Sequence, residues 1–399
     1  MPTRRATLLS AAALALATGT PAHASAGSSA PARLTLPAPT GPRALGTTTL
    51  RLVDPARTDP WVPDRSYREL MVSVRYPARP GAASGHPRAR QMRPGAAAGF
   101  DALNNLAGVP TDAVGWAATL THAHEGAPAD VSGGPYPVVL YSPGVVDPRT
   151  FGTTLTDDLA SRGYVVVTVD HTYEATAVEF PGGRVEHSVL PAELAAAGGD
   201  EERIRALLRK TLDARVADVR FVLDALPGAL PRELRHAADL TRTGMFGPSA
   251  GGFAALQTMH DDRRLRAGAD LDGVLAYVQE DGDPGHYATV AEDGLDRPFL
   301  IMGKDGNSQA TVPSWGELAR RSSAWHRCVT LPGAAHGTYT DAEAVLPQLA
   351  RALHLPPEVV LANIGTASPA AAVAAQRRRL AAFFAHTLGR AAPERSGSR

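Results

Sequence analysis

The chain has 399 residues, of which 44% are apolar and 20% charged; this is ordinary for a soluble globular protein and long enough for a large core. Forty basic side chains balance forty acidic ones, so there is no global field to draw in nucleic acid or an anionic membrane. Cys328 is the single cysteine, which excludes an intrachain disulfide. It sits in the strand-like run His326 to Leu331, where a small buried hydrophobe is the expected role.

The chain opens with Arg4 and Arg5, followed by the apolar stretch Leu8 to Leu16, too short to span a bilayer. Ala22-His23-Ala24 or Ala24-Ser25-Ala26 supplies a small-x-small cleavage pattern, and Thr3 to Leu9 resembles a twin-arginine signal. Residues 1–26 are therefore expected to be an export signal and the mature protein to be secreted. Residues 27–45, rich in Pro, Ala, Ser and Gly, read as a flexible lead-in. No later segment is long and apolar enough to cross a membrane.

Residues 46–390 read as a single domain, with a disordered tail at 391–399. Strand signals at 48–53 and 68–76 come first. Residues 77–135 form a Pro/Gly-rich excursion with helical patches near 99–107 and 112–122, expected to contribute no strand to the sheet. Its apolar residues, Trp116 and Leu120 among them, either pack on the body or line substrate access. Strands at 137–142, 164–170, 243–246, 267–271, 298–302 and 327–331 then alternate with helices at 150–162, 201–226, 250–260, 316–322 and 369–388. The run Tyr164 to Asp170 is apolar on both faces, as an interior parallel strand must be. The helix at 201–226 carries its apolar face at 204, 208, 212, 216, 219, 223 and 226, with arginines assigned to solvent. This alternation predicts a mainly parallel sheet covered by helices on both faces.

The central motif is Gly247-Pro248-Ser249-Ala250-Gly251, set between the strand Thr243 to Phe246 and the helix from Ala250 to His260. That context is what a nucleophile elbow requires: glycines flank a turn too tight for a Cβ, and Ser249 sits at a helix N-terminus that favours negative charge. A serine hydroxyl needs a base. His336, in the loop directly after the last strand, occupies the place where an α/β-hydrolase fold presents one. Two carboxylates keep the order Ser, Asp, His. Asp272 ends the strand that follows the nucleophile helix, and Asp305 follows the next strand; Asp270 is deeper on the same strand as Asp272. An oxyanion hole needs backbone N–H groups aimed where charge develops, and Ala250 N–H, just after the serine, supplies one. His122-Ala123-His124-Glu125 is a weak metal candidate, and Asp281-Gly282-Asp283 lacks the ligands of a calcium loop. No metal or cofactor site and no dinucleotide fingerprint is assigned.

Arg68 to Pro77, Ser142-Pro143-Gly144, Gly244 to Gly252, Gln257 to Gly273 and Gly333 to Asp341 resemble the platelet-activating-factor acetylhydrolase-like (plasma/type II) lipases and esterases of the α/β-hydrolase superfamily. The resemblance spans most of residues 68–341, with dense matches only locally. It implies Asp272 as the acid and, from the loop Tyr141 to Val146, Val145 N–H as the second oxyanion donor. One departure is Pro248, where the family usually has His. The implied activity is hydrolysis of carboxylic esters through Ser249, His336 and Asp272, without a cofactor. The implied partner is a small-molecule or lipid ester, with short-chain acyl esters or phospholipids resembling platelet-activating factor in view and transient contact with a lipid surface left open. Polyester- or amide-cleaving enzymes and a non-catalytic binding protein on the same fold are the competing readings.

Overall fold

A computed structural model describes residues 31–389. The expected export signal at 1–26 and the tail at 391–399 lie outside the described residues. Ten strands form one sheet: β1 (Leu45–Asp54), β2 (Arg68–Pro77), β3 (Arg88–Arg90), β4 (Leu120–Glu125), β5 (Tyr136–Tyr141), β6 (Val165–Asp170), β9 (Ala238–Pro248), β10 (Leu265–Leu271), β11 (Phe299–Gly303) and β12 (His326–Thr330). The short pair β7 (Ala177–Glu179) and β8 (Val185–His187) stands apart as an antiparallel ribbon. The sheet order is β12-β11-β10-β9-β5-β6-β2-β1-β4-β3. The run from β12 to β6 is parallel throughout, and β2 joins it antiparallel to β6. The chain has an α/β-hydrolase fold.

The centre of the sheet follows from residue type. β5 and β6 are buried along their whole length, as strands covered on both faces must be. One face packs Val138, Val165 and Val167 against Val219, Val222 and Leu226 of the helix Glu201–Ala229, and against the helix Ala250–Asp261. The other packs Val139 and Val166 against Leu155, Leu159, Leu380 and Phe384 of the helices Thr153–Ser161 and Pro369–Thr387. Each fully buried Val or Leu contributes about 1.5–3 kcal/mol. The helix Glu201–Ala229 starts where its sequence says it should: the Asp200 side chain accepts from Arg203 N–H at 2.9 Å, and Glu201 and Glu202 occupy the first turn.

Two expectations are corrected. The excursion at 77–135 does contribute to the sheet: β4 pairs parallel with β1, and β3 pairs antiparallel with β4. Its strand residues alternate, with Thr121 and Ala123 inward and Leu120 exposed. The helical patch expected at 112–122 merges this period-two segment with the single 3₁₀ turn Trp116–Ala118. The lead-in, expected to be flexible, is tied down from residue 32 onward. Leu34 and Leu36 are buried with Phe100, Trp116 and Leu346, and Thr40 donates to Asp158 at 2.7 Å. Its Pro/Ala composition hides two leucines spaced to face one way.

The sheet order reverses between β5 and β9. β5 continues to β6 on one side and β9 to β10 on the other, so the loops leaving β5 and β9 lie side by side at the carboxyl edge, where an open α/β sheet forms its crevice.

Candidate active site

Ser249 stands between β9 and the helix Ala250–Asp261 with φ 55° and ψ −128°, a backbone that a side chain adopts only under strain of about 1–3 kcal/mol. The turn leaves no room beside it. A Cβ on Gly247 would lie 2.1 Å from the Ser142 carbonyl oxygen, and one on Gly251 would lie 2.0 Å from the same atom. The elbow is tied to the next strand, with Ser249 N–H donating to Leu271 O at 2.9 Å, and to its own helix, with Phe253 N–H donating to Ser249 O at 3.0 Å.

Asp272 follows β10 at φ 64°, which turns its side chain out of the strand register, and the residue is almost fully buried. Nδ1 of His336 lies 2.7 Å from its Oδ2. Its Oδ1 accepts from Lys304 N–H at 2.8 Å and from the Asn307 amide at 2.9 Å. Lys304 Nζ stands 3.9 Å from Oδ2 and also pairs with Asp281, which accepts from Asn307 at 3.0 Å. The buried Asp272 side chain therefore has a full set of donors around it. Asp305 is exposed, and its N–H donates to Ala334 O at 3.0 Å, pinning the loop that leads to His336. Asp270 accepts from Gly273 N–H at 2.8 Å and bonds neither His336 nor Lys304; burial, opposed by that bond and reinforced by the nearby Asp272, holds its carboxyl well above the ordinary range.

His336 begins a single 3₁₀ turn and is partly open to solvent. The structure joins His336 to Asp272; the Ser249 hydroxyl makes no hydrogen bond among the described residues. Such contacts commonly tighten only when substrate binds.

The loop after β5 carries Val145. Gly144 passes close to Asp147 and Ser249: a Cβ there would lie 2.9 Å from Asp147 Oδ2 and 3.8 Å from Ser249 Cβ. Val146 adopts φ 59°, in the left-handed region, directly after Val145. Val145 N–H has no acceptor among the described residues. Ala250 is the first residue of its helix, where N–H groups lack intrahelical partners. Val145 and Ala250 line one narrow, mostly apolar cavity with Leu208, Leu212, Phe253 and Val274. Asp147, on the same loop, is buried; that burial pushes its carboxyl up to about 7, against the pull of His336 and Arg215.

Three groups around this site are not foreseen from the sequence. Lys304 and Asn307 hold Asp272 from the loop after β11, a loop that in sequence suggests only an alternative acid. Arg215, expected among the solvent-facing arginines of its helix, is 1% exposed. Its signal is present, because 208, 212, 215 and 219 follow one helical face. His122 and His124 each bond a backbone carbonyl, at 2.9 Å to Leu36 and 2.6 Å to His86. Among the described residues no cluster of three ligating side chains occurs. Cys328 is half-buried in β12, and burial pushes its thiol up to about 11.

A mainly parallel sheet with a serine elbow at its switch point and a buried Asp–His pair beside it defines an α/β-hydrolase. The chain belongs to the platelet-activating-factor acetylhydrolase-like family of that superfamily. Residues 113–226 match the family model of platelet-activating factor acetylhydrolase, isoform II. The solved structure of a ferulic acid esterase from Streptomyces cinnamoneus is similar over 92% of this chain and 96% of its own, with 35% identity and a TM-score of 0.71. A probable 1-alkyl-2-acetylglycerophosphocholine esterase of Arthroderma benhamiae is 28% identical over 220 residues, covering 53% of this chain and 50% of its own. The platelet-activating factor acetylhydrolase of Cavia porcellus is 24% identical over 232 residues, covering 53% of this chain and 49% of its own. The chain thus spans about half the length of these curated relatives. Among the described residues no helix is long and apolar enough to cross a membrane.

Proposed function

We propose that the protein is an exported serine esterase in which Ser249 is the nucleophile, His336 the general base and Asp272 the group that orients the imidazole and stabilises its cation. The observation that carries this reading is the 2.7 Å bond from His336 to a carboxylate buried beneath it, next to a serine held in a strained elbow. His336 takes the Ser249 proton as Oγ attacks the ester carbonyl, and Asp272 stabilises the resulting imidazolium. Val145 and Ala250 N–H receive the developing oxyanion. The alcohol leaves with the proton from His336, and water then cleaves the acyl-enzyme by the same route. Export rests on the Arg4-Arg5 start and the short apolar stretch behind it.

The substrates we propose are esters of small acyl groups, supported by a narrow apolar cavity beside the two oxyanion donors. Short aliphatic acyl chains on soluble esters or phospholipids fit the names of the curated relatives. Hydroxycinnamoyl esters are a second reading, favoured by the likeness to a ferulic acid esterase along nearly the whole of both chains. The test is kcat/KM across p-nitrophenyl acetate to octanoate, an sn-2-acetyl phospholipid and methyl ferulate, with Ser249→Ala beside each. Hydrolysis falling off with chain length supports the first reading, and preference for methyl ferulate the second. Activity on none of them, with no acyl-enzyme burst, would leave a binding role on the same fold.

A further inference from the structure

Beneath the loop after β5 lies a buried chain of charged and polar groups that the reaction scheme does not use. Arg68 is held by Asp59 at 2.9 Å and by both oxygens of Asp218, at 3.0 and 2.7 Å. Asp218 accepts from Nδ1 of His171 at 3.0 Å, and Nε2 of His171 lies 2.9 Å from the Ser142 hydroxyl. The chain ends on Arg215, whose guanidinium pairs with the buried Glu174 through Nε at 2.7 Å and through Nη2. Arg215 spends its other N–H groups on the loop itself. Nη1 donates to Pro143 O at 2.5 Å and to Ser142 Oγ at 3.1 Å, and Nη2 donates to Gly144 O at 3.0 Å.

These bonds reach two successive carbonyls immediately before Val145. The Gly144–Val145 peptide is trans, so its N–H points opposite to its carbonyl. A donor that pulls Gly144 O toward the helix Glu201–Ala229 thereby turns Val145 N–H to the other side of the loop, where Gly144 abuts Ser249. Without that donor, Gly144 is free to rotate the peptide, because glycine has no Cβ to resist. The planar fork of arginine reaches both carbonyls and the hydroxyl while still pairing with Glu174; the single ammonium of lysine cannot.

We infer that Arg215 is the positioning residue of the oxyanion hole, gripping Pro143 O and Gly144 O so that Val145 N–H is presented to the acyl oxygen. The inference rests on the serine-esterase reading above. It assigns catalytic consequence to a side chain that lines the same cavity as Val145 and Ala250 but spends its N–H groups on Glu174, Ser142 and the two loop carbonyls, with none on Ser249, at a position ordinarily read as a helix-surface arginine.

The test uses the full chain with Arg215→Lys and Arg215→Met, alongside Ser249→Ala. Arg215→Lys keeps a positive charge against Glu174 and so protects the fold. Competent molecules are counted by the end-point of fluorophosphonate labelling, and kcat and KM for p-nitrophenyl acetate are expressed per labelled serine. The expected result is a kcat lower by roughly 10²-fold in Arg215→Met and by less in Arg215→Lys. KM should move less than about threefold, and the rate of phosphonylation should fall in parallel, since that reaction also builds charge on oxygen. Fewer labelled molecules with unchanged kcat per labelled serine would overturn the inference and leave Arg215 a purely structural residue. Activity surviving in Ser249→Ala would instead overturn the esterase reading on which it rests.

Discussion

Replacing Asp272 with Asn separates the proposed acid from its neighbour Asp305 without changing side-chain size. Oδ1 of Asp272 accepts from two donors, Lys304 N–H and the Asn307 amide, while Oδ2 faces Nδ1 of His336. In Asp272→Asn the amide oxygen must take the Oδ1 position, because an NH₂ there would oppose two donors. The NH₂ group is thereby turned toward His336. Nδ1 becomes an acceptor, the ring carries its proton on Nε2, and the nitrogen needed to take the Ser249 proton is blocked. The carboxylate that stabilises the imidazolium is lost as well. The expected loss in kcat is roughly 10³- to 10⁴-fold, equivalent to about 4–5 kcal/mol of transition-state stabilisation. Asp305 is exposed, so Asp305→Asn should change kcat by less than about twofold. The assay is steady-state hydrolysis of p-nitrophenyl acetate by both variants, with circular dichroism to show that each is folded. A folded Asp272→Asn enzyme retaining more than a tenth of the activity, or an inactive Asp305→Asn, would refute the assignment.

Two further predictions concern stability. Neither oxygen of the buried Glu343 carboxyl has a hydrogen-bond partner, and burial pushes it up to about 8, only slightly opposed by Thr338, whose hydroxyl already donates to Ile364 O. Its folded value lies above the ordinary glutamate value of about 4.3, so the unfolded chain loses this proton first as pH rises. Stability therefore falls between about pH 4 and pH 8 and levels off above. Glu343→Met should remove that fall, gaining on the order of 3 kcal/mol more at pH 8.5 than at pH 4.5 in urea unfolding; an equal gain at both pH values would contradict it. Trp116 is buried edge-on against Phe100 at 5.0 Å between ring centres, and its indole N–H donates to Asp101 at 2.8 Å. Trp116→Ala should cost about 3–5 kcal/mol of stability while leaving the ratio of short- to long-chain ester hydrolysis unchanged. An altered ratio in a protein of normal melting temperature would place Trp116 at the substrate.

The central sheet was legible because its strands announce themselves. β5 and β6 are valine-rich on both faces, and each following strand is separated from the next by a helix of the right period. The elbow was legible because glycine spacing around Ser249 encodes a steric demand, which the 2.1 Å approach of a Gly247 Cβ to Ser142 O makes concrete. β4 was hidden because Leu120 to Glu125 mixes histidines with small residues and follows a helix-like patch, leaving its alternation weak. The polar shell around the site was hidden for a different reason. Lys304 and Asn307 reach Asp272 from 32 and 35 residues away, and Arg215 meets Pro143 O and Gly144 O from 72 and 71 residues further along the chain. No local period encodes such pairings; only the register of β10 against β11, and of the long helix against the loop after β5, brings them together.

The most direct test of a covalent role for Ser249 is fluorophosphonate labelling of the purified protein, followed by peptide mass mapping and repeated on Ser249→Ala. The serine-esterase account predicts one stoichiometric adduct on the peptide containing residues 247–252, loss of ester hydrolysis in step with labelling, and neither label nor activity in Ser249→Ala. An adduct on another residue, or a Ser249→Ala protein that still hydrolyses p-nitrophenyl acetate at the wild-type rate, would contradict it.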